Sequence, residues 1–384
     1  MFVLGALLCL GLARYFRVPA MRALVLYVWH TVFCIVYMDH TLVHGGDAVG
    51  YYRLSLSWTG SFEMGTEFVN WLTGFYSRLL GMSYLGAFLA FNIFGAVGML
   101  ALYGALRIAT EDKSLMLRRL ALLIMLLPSI SFWSSAIGKD SLAFMSTCLA
   151  LWAALDMRRR SLLLFFAIAV MLLVRPHVAA AMVLAMVIST AFNPNFSLVQ
   201  RTLLGTVALA GAAAMVPFAL TYAGLGTGAN AADVMDYIEL RQSYNLEGGG
   251  GIDIASMSPP MQLFTYLFRP LPFEAHSIFA LAAAFDNVLL LGMFFMAGRG
   301  IFAARSSTST ANHVFLWAYA LVCWVMLALT TANLGISMRQ KWMFTPILIY
   351  LLLAATRGVR RPVPAATPGT SIHPTAGVAS SALR

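Results

Sequence analysis

SYLGAFLAFNIFGAVGMLALYGAL, residues 83–106, runs for 24 positions without an acid or a base. As a helix it reaches about 36 Å, enough to cross a hydrocarbon layer of about 30 Å. Similar apolar stretches lie near 2–16, 23–38, 119–133, 141–157, 162–174, 178–192, 202–224, 276–298, 313–333 and 341–356. Several are short for a span and must borrow flanking residues or thin the bilayer locally. The expected fold is therefore all-α: a polytopic transmembrane bundle of about eleven spans over residues 1–356. Residues 357–384, rich in Pro, Ala, Ser and Thr, are expected to form a disordered tail.

Composition agrees. The 384 residues are 60% hydrophobic and 10% charged, with mean hydropathy +0.81, far from the usage of a water-soluble domain. The net charge of +10 arises from 25 Lys and Arg against 15 Asp and Glu. On so apolar a chain it suits anionic lipid headgroups and disfavours nucleic acid. Cys9, Cys34, Cys148 and Cys323 all fall in apolar runs, without metal-ligand spacing. No nucleotide-binding or zinc-protease motif occurs, so no metal or cofactor is expected. The N-terminal apolar run has no basic residue before it, which favours a first span over a cleaved leader.

Basic residues set the direction of the spans, because positively charged loops stay cytoplasmic. Placing Arg14, Arg17 and Arg22 inside also puts Arg107, Lys113, Arg118 and Arg119 inside. The Arg158-Arg159-Arg160 cluster, Arg201, Arg299, Arg305, Arg357, Arg360 and Arg361 follow on the same side. The N-terminus is then outside and the C-terminus inside, with outer loops at about 39–82, 134–140, 225–275 and 334–340. Eight basic residues remain outside: Arg53, Arg78, Lys139, Arg175, Arg241, Arg269, Arg339 and Lys341. Either each is paired with an acid or a lipid phosphate, or together they form an anion site.

The first outer loop packs Asp39, His40, His44, Asp47 and three glycines ahead of Tyr51, Tyr52 and Arg53. Beyond it, Phe68, Trp71, Leu72, Phe75 and Leu79 fall on one helical face, the pattern of a helix lying in the interface. Lys139 and Asp140 follow a span interrupted by Pro128, and Arg175-Pro176-His177 joins two spans with almost no loop. The long loop at 225–275 should hold an amphipathic helix near 231–244, which carries Arg241, and it closes on Arg269 and Glu274. Asp286 is the one acid placed at depth, a functional candidate by default. His30 and Asn92 read as helix–helix glue.

Gly46-Asp47, Tyr51-Tyr52, Phe132-Trp133-Ser134, Gly138-Lys139-Asp140, Arg175-Pro176, Asn333-Leu334-Gly335, Arg339-Gln340-Lys341 and Pro346 together carry a resemblance. The chain resembles multi-pass proteins of bacterial surface-polysaccharide assembly, a group similar to the O-antigen polymerase (Wzy-type) and to membrane glycosyltransferases of the GT-C fold. The resemblance implies a GT-C-like bundle in the bacterial inner membrane, with interfacial helices on the periplasmic side. It further implies transfer from a polyprenyl phosphate or diphosphate sugar donor to a saccharide acceptor, alongside other assembly proteins. Asp47 matches the acceptor base, with Asp140 and then Glu274 behind it. Arg175, Arg241, Arg269 and Arg339 match the cations that hold the diphosphate. Lys139, His177, Lys341 and Tyr51 complete the candidate site. The chain lacks the paired-acid motif that many GT-C enzymes show in the first outer loop.

A flippase for a lipid-linked saccharide would also want outer cations, and a scaffold could dock anionic lipid with them. Convergence discriminates: an enzyme needs Asp47 or Asp140 and the arginines facing one groove, whereas a scaffold lets them scatter. Transporters more often show internal repeats and charges near the midplane.

Overall fold

The computed structural model describes residues 1–57, 60–192, 251–254, 256–301, 311–356 and 358, with single positions between 199 and 240. The expected span at 202–224, the amphipathic helix near 231–244 and the tail lie outside the described residues, Gly358 excepted. Among the described residues the chain is helical throughout, and strand-like pairing is limited to one bridge, Gly251 to Asn333.

The helices are α1 (Phe2–Ala13), α2 (Ala20–His44), α3 (Asp47–Ser57), α4 (Thr66–Gly74, extended by a π turn at Phe75–Leu79) and α5 (Tyr84–Thr110). Then come α6 (Leu115–Met125), α7 (Pro128–Ser134), α8 (Lys139–Ala154), α9 (Met157–Val174) and α10 (Pro176–Ala191). The last group is α11 (Pro259–Phe268), α12 (Ile278–Ala297), α13 (His313–Thr330), α14 (Leu334–Gln340) and α15 (Thr345–Ala355).

Among the described residues five segments are long and apolar enough to cross a membrane: Ala20–His44, Tyr84–Thr110, Leu115–Ser134, Ile278–Ala297 and His313–Thr330. Phe2–Ala13, Pro176–Ala191 and Thr345–Ala355 are shorter apolar helices. This is the make-up of a multi-pass membrane protein.

Prolines break the long helices where the sequence places them. Pro128 lacks an N–H and pushes Leu127 out of helical geometry, to φ −61° and ψ 127°, so α6 ends and α7 starts afresh. Pro176 does the same to Arg175, at φ −146° and ψ 79°. At the end of α2 the helix runs six residues past the expected stretch, so Asp39 to His44 are helical, and Gly45 at φ 75° stops it.

The core is built around α5, which packs against α1, α2, α6, α8 and α15. Its close approaches depend on glycine. A Cβ on Gly95 would stand 2.1 Å from the Ser134 carbonyl oxygen and 2.4 Å from His30 Nε2. Both neighbours are fixed in packed helices, so Gly95→Ala should cost about 1–3 kcal/mol by overpacking. Thermal unfolding of the detergent-solubilised protein would read this as a lowered midpoint, and an unchanged midpoint would mean that α2 and α7 yield easily.

Asn92 behaves as glue, donating from Nδ2 to Thr31 Oγ1 at 2.9 Å. His30 is buried beside Ser134 with neither ring nitrogen hydrogen-bonded. On α4 the expected apolar face is divided between outside and inside. Trp71, Phe75 and Leu79 are exposed, but Phe68 turns inward. Asn70, Thr73 and Ser77 form the buried side, where Ser77 meets Ser55 hydroxyl to hydroxyl at 2.9 Å.

Candidate functional site

Four chain segments meet at one end of the bundle. Gly45 and Gly46, at φ 75° and 128°, turn the chain from α2 into α3, whose first turn carries Asp47. A carboxylate there suits the positive end of the helix dipole. Tyr51 lies one turn along, at i+4, and so shares its face. Gly138, at φ 155° and ψ −174°, occupies a conformation essentially reserved for glycine and starts α8, presenting Lys139 and Asp140. Arg175 sits at the α9–α10 corner made by Pro176. Arg339 comes from α14.

These side chains form an alternating chain of charge. Arg339 Nη1 donates to Asp47 Oδ2 at 2.8 Å, and its Nε lies 3.2 Å from Asp140 Oδ2. Asp140 Oδ1 accepts from Arg175 Nη2 at 2.7 Å. The side chains are 62% exposed for Asp47, 25% for Arg339, 19% for Asp140 and 9% for Arg175. The chain of pairs thus runs from solvent into the protein. Arg175 Nε is buried without a partner, a donor that most buried polar atoms would have spent.

The same residues line a cleft of about 120 Å³, closed by Tyr37, Tyr51, Lys139 and the 136–138 backbone. Arg175, Arg339 and Lys139 against Asp47 and Asp140 leave the lining with one cation in excess. Burial, and then Asp47 and Asp140, push the Tyr51 phenol up to about 12, so at neutral pH it is a donor. Asp140 first, and then Asp47, push the Arg339 guanidinium further toward its charged form.

The structure therefore brings Asp47, Tyr51, Lys139, Asp140, Arg175 and Arg339 together. Other candidates go elsewhere. Arg269 pairs with Glu274 at 2.6 Å, five residues away, and Glu274 also accepts from the Leu271 amide at 2.8 Å. That closes a local turn and spends both side chains. Lys341 corrects a sequence expectation: it is turned into the core, where Nζ donates to Asn287 Oδ1. His177 lies in the first turn of α10 and does not line the cleft. Arg241 lies outside the described residues. Tyr37, Trp133 and Trp342 border the acid–arginine group; Trp133 belongs to the Phe132-Trp133-Ser134 motif, whereas Tyr37 and Trp342, aromatics beside apolar runs, carry no distinguishing signal in sequence.

The Arg269 guanidinium holds the Glu274 carboxyl below the usual carboxylate range. A depressed folded value stabilises the turn fully above that range and loses the contribution as pH falls through the folded value. Acidification should therefore lower the protection of the Leu271, Phe273 and Glu274 amides relative to their intrinsic exchange rates, and Glu274→Gln should abolish that pH dependence of protection. Protection that falls equally in the variant would rule out this pair as the cause.

No protein-family model, no curated protein and no solved structure matches the chain.

Proposed function

We propose that the chain transfers a glycosyl unit from a polyprenyl phosphate or diphosphate to a saccharide acceptor, as a glycosyltransferase or polymerase of surface-polysaccharide assembly. It would work as a GT-C-like bundle of about eleven spans in a bacterial inner membrane, with the cleft on the periplasmic face. The supporting observation is the convergence of Asp47, Asp140, Arg175 and Arg339, up to 292 residues apart in sequence, on one cleft. Charges that served only as lipid anchors would have no reason to meet.

The chemistry follows from the gradient of exposure. The Asp47–Arg339 pair is the solvent-facing one, and exposed pairs of this kind contribute little, about 0–1 kcal/mol. An incoming phosphate, which matches the guanidinium fork, can displace Asp47 from Arg339. That exchange places the phosphate on Arg339 and the unspent Arg175 donor, and it frees the Asp47 carboxylate. The acceptor oxygen then bonds to the anomeric carbon as its proton passes to Asp47. The bond from that carbon to the phosphate oxygen breaks, and its electron pair leaves with the phosphate. Fixed cations favour that departing charge more than the ground state.

A second reading, a flippase for lipid-linked saccharide, draws on Asp286. It is buried in α12 with neither carboxylate oxygen hydrogen-bonded, and Lys341 is its charged neighbour. Charges at depth suit a translocation path.

Complementation of a deletion strain separates these readings, with the polymer chain-length profile measured for Arg175→Ala and Asp286→Asn at matched membrane levels. Transfer predicts that Arg175→Ala loses polymer and accumulates single lipid-linked units on the outer leaflet. Accumulation on the inner leaflet, strongest for Asp286→Asn, would favour the flippase. Normal polymer from both would leave the scaffold.

A further inference from the structure

At the other end of α2 lies a larger pocket that the transfer reading does not use. Arg22 is in the first turn of α2 and Asp47 just past its last residue. A helix of 25 residues separates its ends by about 37 Å. The pocket, about 470 Å³, opens between the start of α2, the last turns of α5 and the first turns of α6.

Four guanidiniums line it, those of Arg22, Arg107, Arg118 and Arg119, against a single acid, Glu111. Among the described residues none of the four is in an ion pair. Arg22 donates to the Tyr103 hydroxyl, and Arg107 Nη1 donates to the Arg17 carbonyl at 2.8 Å. Arg118 donates to the carbonyls of Thr110, at 3.2 Å, and Glu111. These partners are neutral, so they hold three side chains in place without cancelling their charge. Arg119 has no hydrogen bond or ion pair among the described residues. In the cleft at the other end of α2, by contrast, both arginines face carboxylates. Here about three net positive charges are organised and left uncompensated.

The apolar half of the pocket tells what the counter-charge is attached to. Along α6, Leu115, Arg119 and Leu122 follow at i, i+4 and i+7 and so share one face, and both leucines are exposed. Along α5, Tyr103, Leu106, Arg107 and Thr110 share a face by the same spacing. A free inorganic anion would need the guanidiniums alone. A headgroup phosphate with acyl chains beside it uses the cations and the exposed leucines together.

We propose that this pocket binds an anionic phospholipid of the leaflet opposite the acid–arginine cleft, with a two-phosphate headgroup as the best charge match. The inference does not depend on glycosyl transfer. The full chain, purified in detergent, is titrated with cardiolipin, phosphatidylcholine or inorganic phosphate while Tm and retained lipid are followed. Cardiolipin should raise Tm and stay bound, and the other two should not. Arg119→Ala should bind it about fivefold more weakly, the worth of one arginine at a lipid surface, with an unaltered lipid-free Tm because its side chain holds nothing else. Arg119→Lys should restore most of the binding. Arg159→Ala, which removes a side chain 87% exposed in α9, should bind like the parent. Equal stabilisation by phosphate would mean a soluble-anion site, and equal stabilisation by phosphatidylcholine would mean an ordinary lipid-facing surface. Equal weakening by Arg159→Ala would mean diffuse surface charge. Each of these three outcomes overturns the proposal.

Discussion

Arg339→Ala is expected to lower the transfer rate by about a hundred to a thousandfold, the usual loss when one fixed donor to a developing negative charge is removed. Arg339 touches both acids of the cleft, at 2.8 Å to Asp47 and 3.2 Å to Asp140. Its loss frees Asp47 to solvent and leaves Asp140 with Arg175 alone. The stability cost should be about 1–2 kcal/mol. This is less than the 3–5 kcal/mol of a fully buried broken pair, because the outer partner is well exposed and solvent screens it. Arg339→Lys separates charge from geometry. A lysine keeps the cation but lacks the planar fork that reaches two carboxylates or a phosphate at once, so stability should return further than rate. Transfer measured in membranes at matched protein level, with Tm in detergent, reads both quantities. A rate within threefold of the parent in Arg339→Ala would remove the cleft from the mechanism, whatever happened to Tm.

The helical membrane architecture was legible because an uncharged run such as 83–106 has few other ways to fold, and prolines 128 and 176 announce their breaks through steric rules that no tertiary context relaxes. The members of the cleft were legible for a related reason. On a chain that is 10% charged, the few basic residues that depart from the alternation of positive loops stand out and ask for a partner. Pairing was not legible. Arg269 and Arg175 look alike in sequence, each an Arg-Pro step beside an apolar run. Yet Arg269 finds Glu274 five residues on, whereas Arg175 reaches Asp140 across 35, a contact that exists only once α8 and α9 pack.

Lys341 shows the opposite failure, since local geometry could have removed it. Residues two apart on helical backbone do not face the same side, so Arg339 in the cleft already turns Lys341 away from it. The sequence pattern of α4 expects Phe68, Trp71, Leu72, Phe75 and Leu79 to rest on the membrane surface, with Asn70 and Thr73 on other faces. In a membrane the outside is apolar too, and small polar residues such as Thr73 and Ser77 can be the ones that pack inward.

Asp47→Asn and Asp140→Asn should fail in different ways, and the difference assigns the base. A base needs a carboxylate oxygen with room to reach an acceptor hydroxyl. Asp140 has little, because Oδ1 and Oδ2 both lie against guanidiniums. Its place is to hold Arg175 and Arg339 at fixed separation. Asp47 engages one arginine through Oδ2 and is the exposed member of the group. Asp47→Asn should therefore lower kcat by about a hundred to ten thousandfold while leaving KM and Tm close to the parent. Asp140→Asn should leave the buried Arg175 without its carboxylate, while Arg339 keeps Asp47. Its expected signature is a stability loss of about 3 kcal/mol, a raised KM for the lipid-linked donor, and a rate loss that follows from misplaced cations. A kcat loss confined to Asp140→Asn, with Asp47→Asn active and Tm unchanged in both, would exchange the two roles. It would also require Arg175 or Arg339 to release an Asp140 oxygen when the donor binds.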